Sequence, residues 1–152
     1  MKKLNRRRSG EHGQTMTEFA LALPVLLLVL VGTVVFGIAF NNYETLTFAT
    51  NIGAQQLSIS RGPTGDPCAT TASGVKNAAP FLNTTHTLYT IVLNGVTATT
   101  ASANPSCSSY QSDVGEGDTA TVTVTYPCSL QILLFNPAPS CLLTAQTSVI
   151  IQ

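Results

Sequence analysis

Residues 13–40 read GQTMTEFALALPVLLLVLVGTVVFGIAF. The last 22 of these, Phe19 to Phe40, carry no charge. As a helix rising about 1.5 Å per residue they reach roughly 33 Å, close to the hydrocarbon thickness of a bilayer. The stretch is therefore long enough to span, and a single carboxylate, Glu18, sits at its mouth.

The charge around this run is lopsided. Lys2, Lys3, Arg6, Arg7 and Arg8 precede it, and the next basic residue is Arg61. Positive residues mark the cytoplasmic side of a span, so an N-terminus in the cytoplasm and an extracytoplasmic C-terminal portion are expected, with the span in the inner membrane. A secretory signal peptide also has a basic start and an apolar middle, and the small residues at 37–39 offer a cut. Its apolar middle is usually shorter, about 7–15 residues, which favours a retained anchor. Beyond Gly13 only Arg61 and Lys76 face six acids, a net of −4 in a 152-residue chain of zero overall formal charge. Nucleic acid is not an expected partner, because phosphate binding needs clustered Lys and Arg.

Gly13, four intervening residues, Glu18, the aromatic Phe19 and then a long apolar helix follow one another at fixed spacing. This arrangement resembles the processing site of type IV pilin-like precursors. The resemblance implies that a prepilin peptidase cuts between Gly13 and Gln14, removing residues 1–13 as a basic leader. Gly13 suits an extended backbone entering a tight site because it has no side chain. Gln14 would then carry the new α-amino group, and Glu18 would meet the N-terminal amine of a neighbouring subunit and fix axial register. A helix N-terminus partly favours such a carboxylate, whereas an unpaired charge in lipid is costly.

Within the apolar run Pro24 lacks an N–H and is expected to kink or loosen the helix, while Gly32 and Gly37 permit close approach of another helix. Past the span, NNYETLTFATNIGAQQLSISRG has no proline and spaces Tyr43, Leu46, Ala49, Gly53 and Leu57 near 3.6 residues. The helix is expected to continue to about Ser60 with that face packed on the remaining domain. MTEFALALPVLLLVLVGTVVFGIAF followed by this amphipathic helix resembles the TadE-like proteins of tight-adherence pilus systems. Asn51 and Ile52 depart from the Arg-Glu pair usual there. The resemblance is good over 14–60, moderate over 118–152, where the closing strands look alike, and slight between. It implies a non-enzymatic pilus-assembly role, with other pilin-like subunits, inner-membrane assembly proteins and the membrane as partners.

Residues 61–152 read as one small extracytoplasmic domain. GPTGDP at 62–67 signals a turn, and a short helix is expected before Pro80. HTLYTIVLNGVTATTA reads as two strands about Asn94-Gly95, the hairpin dipeptide. From Thr119 to Tyr126 alternation is strict, with Ala120, Val122, Val124 and Tyr126 on one face, and a last strand is expected from about Leu143 to Ile151. The sum is an α+β fold with an antiparallel sheet laid on the long helix.

Cys68, Cys107, Cys128 and Cys141 all lie on the outer side and lack C-x-x-C spacing, which reads as disulfides rather than zinc. Of the three pairings Cys128–Cys141 with Cys68–Cys107 is favoured, because the first pair flanks the loop SLQILLFNPAPS between two strands. No metal site and no cofactor are expected. Asp113, Glu116 and Asp118 in SDVGEGD have the spacing of a calcium loop but also of an ordinary solvated turn. Asn83 starts an Asn-Thr-Thr sequon to which no role is assigned. His12 lies in the leader, leaving His86 as the one imidazole, and no Ser or Cys has an activating motif, so no catalytic residues are expected. Two functions remain: a minor pilin-like (pseudopilin) subunit, or an unprocessed single-pass anchor whose small outer domain binds a partner or ligand.

Overall fold

The computed structural model of the chain describes residues 11–60, 65–128, 130 and 138–152, without the side chains of 11–13, 84 and 111–113. The basic leader up to Gly10, Arg61, the first half of the turn at 62–67 and most of the loop between Cys128 and Cys141 lie outside the described residues.

A single helix, α1, runs from Glu11 to Ile59. Its 49 residues extend for roughly 74 Å. It continues through Pro24, whose missing donor is flanked by Ala20, Leu21, Ala22 and Leu23 before it and Leu26, Leu27 and Leu28 after it, strong helix formers. Two features differ from the expectation. The helix already includes Gly13, where an extended backbone is expected, since propagation adds a hydrogen bond for each residue fixed. Tyr43 is 42% exposed, and the buried face is instead Leu46, Ala49, Thr50, Gly53, Ala54 and Leu57. The domain closes around α1 only one turn past Tyr43, so that ring stays outside.

The second helix, α2, spans Pro67–Ala78. Pro67 stands at its first position, where the missing N–H costs nothing, and Asp66 caps it in an extended conformation. It packs against α1 through two glycines. A Cβ on Gly53 would lie 2.5 Å from Val75 Cγ2 and 3.0 Å from the Thr71 carbonyl oxygen, and one on Gly74 would collide with the Gln56 side chain. These glycines let the helix backbones approach.

The sheet has four strands, β1 (Leu88–Leu93), β2 (Val96–Ser102), β3 (Thr119–Pro127) and β4 (Leu142–Ile150), in the order β2-β1-β3-β4 and antiparallel throughout. Asn94 and Gly95, with φ of 48° and 80°, make the tight turn of the β1–β2 hairpin in the left-handed geometry that matches strand twist. Nine consecutive pairs from Thr119↔Ile150 to Pro127↔Leu142 join β3 to β4 without a bulge. The inner face presents Tyr89, Ile91, Leu93, Ala120, Val122, Val124 and Ala145 to the two helices, and these close the core with Leu46, Leu57 and Val75. The outer face of β3 is threonine at 119, 121, 123 and 125.

Two disulfides staple the domain, Cys68–Cys107 (Cα–Cα 5.5 Å) and Cys128–Cys141 (Cα–Cα 5.2 Å). With separations of 39 and 13 residues, loop closure in the unfolded chain makes them worth about 4 and about 3 kcal/mol on the chain-entropy model. For so small a core that is a large share of the stability.

Candidate functional site: an unpacked helix with a polar mouth

No residue of α1 between 14 and 45 is buried. The side chains Phe19, Leu21, Val25, Leu28, Val29, Phe36 and Phe40 are all more than half exposed. So much exposed aliphatic and aromatic surface on one continuous helix marks an interaction or membrane site, because apolar area leaves water at about 25 cal/mol per Å². Gly32 and Gly37 have nothing within 4 Å of a notional Cβ, and together with Thr33, Phe36 and Phe40 they form a shallow apolar groove on the helix. The helix is apolar and long enough to cross a membrane, near the N-terminus of the chain, which suggests a single-pass anchor.

The predicted cleavage and register residues fall together at the start of this surface. Gln14 Nε2 donates to Glu18 Oε1 at 3.4 Å, one helical turn on, and the Thr17 hydroxyl donates to the Gln14 carbonyl at 2.7 Å. Glu18 and the adjoining Phe19 are both exposed, so the carboxylate is free to approach a group outside the chain. The Gly13–Gln14 peptide bond lies in the first turn of α1. The amides of that turn have no intrahelical acceptors, so opening it into an extended strand costs little.

Asn51 is a residue that pattern reading left without a role, noted only as a departure from the family. It accepts a hydrogen bond from the Thr147 hydroxyl, tying the packed half of α1 to β4 across 96 positions of sequence. The Gln152 amide donates to the Ser58 carbonyl at 3.0 Å, a second tie of the same kind. No local signal in the sequence reveals either bond, since each depends on how the last strand is placed.

Asp66 does more than cap α2. Its Oδ1 accepts from the amides of Cys68, Ala69 and Cys107 at 3.0–3.1 Å, so one carboxylate holds both halves of a disulfide. Burial works to raise its pKa, but the Ser106 side chain and those three amides together hold it below the ordinary 3.8. Asp66, Cys68 and Cys107 are close enough for a metal site, yet both sulfurs are bonded to each other and the carboxylate is committed to amides. In the other acidic loop Asp118 Oδ2 accepts from the Gly115 amide at 2.8 Å, and the Gly117 amide reaches the Ile151 carbonyl at 2.9 Å. That turn, with Gly117 at φ 88°, ties the loop to the C-terminus, and the side chain of Asp113 lies outside the described residues. His86 is exposed on a short 3-10 turn, distant in sequence from any of these acids. The Tyr89 hydroxyl has no hydrogen-bond partner among the described residues, and burial pushes its pKa up to about 12.

Fold and site together define a class: a chain with one long N-terminal helix, apolar and unpacked over its first half, carrying a small disulfide-bonded α+β domain on the second half. Within that class, residues 13–55 match the model of one family, described as TadE-like protein. The matched span covers the polar mouth, the apolar run and most of the packed half of α1. TadE-like proteins are a structural, pilus-associated family. No curated protein and no solved structure matches the chain.

Proposed function

We propose that this chain is a minor pilin-like subunit of a tight-adherence pilus system, held in the inner membrane by the first half of α1 with its N-terminus in the cytoplasm. A prepilin peptidase removes the basic leader between Gly13 and Gln14. The freed helix then packs beside other pilin-like helices, with Glu18 pairing to a neighbour's N-terminal amine. In low dielectric such a pair is strong enough to set axial register, because slipping by a turn leaves two uncompensated charges. The observation that carries this reading is the juxtaposition of Gly13, Gln14 and Glu18 at the mouth of an apolar helix of which no side chain from 14 to 45 is buried by the described residues.

An unprocessed single-pass anchor is the competing reading, and an apolar helix long enough to cross a membrane supports it equally. The mass of the membrane-extracted protein separates the two, measured from cells with and without the peptidase. A mature chain beginning at Gln14 only when the peptidase is present supports processing. An intact Met1 terminus in both supports the plain anchor, and a terminus at Phe40 or later means a secretory signal. Gly13→Leu should leave the leader attached.

A further inference from the structure

We propose that the end of the sheet carrying Leu88, Pro127 and Leu142 rests on the surface of the bilayer that holds α1, so that the domain touches lipid as well as being tethered to it. This rests on α1 spanning that bilayer. Two hydrogen bonds fix the direction of β4 along the helix. Gln152 is joined to Ser58, and five residues earlier Thr147 is joined to Asn51, seven residues earlier on α1. The start of β4 therefore points back toward the apolar run. Repeating the same step, five residues of β4 against seven of α1, brings Leu142 level with about residue 44.

That level is close to the membrane. The first buried residue of α1, Leu46, comes six residues after Phe40, roughly 9 Å along the axis. The headgroup layer on each side of the hydrocarbon is itself about 5–8 Å thick, so no stalk separates the domain from it. Leu142 is 65% exposed, and its partner across the ladder, Pro127, is exposed as well. Leu88, paired with Thr125, adds a third apolar side chain on the same outward face. Further up that face the side chains are polar, with Thr121 bonded to Ser148 and Thr123 opposite Gln146, before Ile150 at the far end. Exposed leucines held at that height gain by entering the interface, where a soluble domain on a longer stem would leave them in water.

The chain contains no tryptophan, so one introduced residue reports alone. Full-length protein carrying Leu142→Trp is reconstituted into phosphatidylcholine vesicles with or without brominated acyl chains. Ile150→Trp, on the same outward face at the far end of β4, and Leu28→Trp, in the middle of the apolar run, are measured beside it. Leu142→Trp should emit at shorter wavelength than Ile150→Trp and be quenched by the brominated lipid, less strongly than Leu28→Trp, while Ile150→Trp is not quenched. If Leu28→Trp is quenched and Leu142→Trp behaves like Ile150→Trp, the lipid contact is overturned and the anchor stands. If Leu28→Trp is not quenched, both fail. Should Leu142→Trp lose the Cys128–Cys141 bond or native circular dichroism, Leu88→Trp gives the same reading from the neighbouring strand.

Discussion

The two halves of α1 have the same backbone and opposite surroundings. From residue 14 to 45 not one side chain is buried, whereas Leu46, Ala49, Ala54 and Leu57, in the turns that follow directly, are fully buried. The packed half draws its stability from the sheet and from α2. The unpacked half has only its own backbone hydrogen bonds, and its apolar surface must be covered by lipid or by other helices. Helix and domain are therefore separable in energy although continuous in structure, and substitutions in the two halves should fail in different assays.

The largest effect should come from a matched pair. Leu57→Ala removes a fully buried side chain and should cost the domain about 2–5 kcal/mol, seen as a lowered unfolding temperature, with membrane retention unchanged. Leu28→Asp should leave domain unfolding unchanged and instead oppose insertion by about 2.5–3.5 kcal/mol, read as protein lost from the membrane fraction. A domain melt that moves with Leu28→Asp would break the separation.

The contact between α1 and α2 sharpens the boundary on the packed side. Gly53→Ala drives a methyl into Val75 and the Thr71 carbonyl and should destabilise by about 1–3 kcal/mol, while Gly37→Ala, in open space, should leave the domain melt alone. Unfolding curves of both variants in the same detergent check this.

Acid should act on the domain alone. The Asp66 carboxyl has its folded pKa held below 3.8, so the stability it supplies is complete above that value and is lost as pH falls through the lowered folded pKa. Asp66→Asn keeps a competent cap, so at neutral pH the loss should be modest, and the acid limb of the stability profile should flatten. A mutant whose acid limb is as steep as the parent's would remove Asp66 from that role. The smallest change expected is a gain: Tyr89→Phe deletes a buried hydroxyl that has no partner among the described residues and should be neutral or stabilising by up to about 1 kcal/mol, measured by thermal unfolding.

How far these features are legible from sequence depends on the range of the interactions behind them. The apolar run, the threonine and valine alternation of β3 and the Asn94-Gly95 turn are set by periodicity and local backbone preference, and each lies where those rules place it. The preferred cysteine pairing follows the same logic, since two strands joined across SLQILLFNPAPS bring Cys128 and Cys141 together. Tyr43 lies outside the packed face because periodicity gives a face but not where the domain begins to cover it. Asn51–Thr147 and the threefold use of Asp66 were hidden because both join residues whose proximity only the finished fold creates. At the polar mouth the residue types and spacing are legible in full, and the helical state of Gly13 is not, because the resemblance implies an extended backbone there while nothing in the local residue types stops the helix from reaching back to Glu11.

The central claim is that the unpacked half of α1 is completed by other subunits, beginning at Glu18. Glu18→Ala in the producing cells tests it, with mature mass and piliation scored together. The account predicts a normal chain beginning at Gln14, a domain melt equal to the parent's, and loss of pilus assembly. Normal processing with full piliation and adherence would contradict it, leaving Glu18 an interfacial carboxylate with no part in assembly.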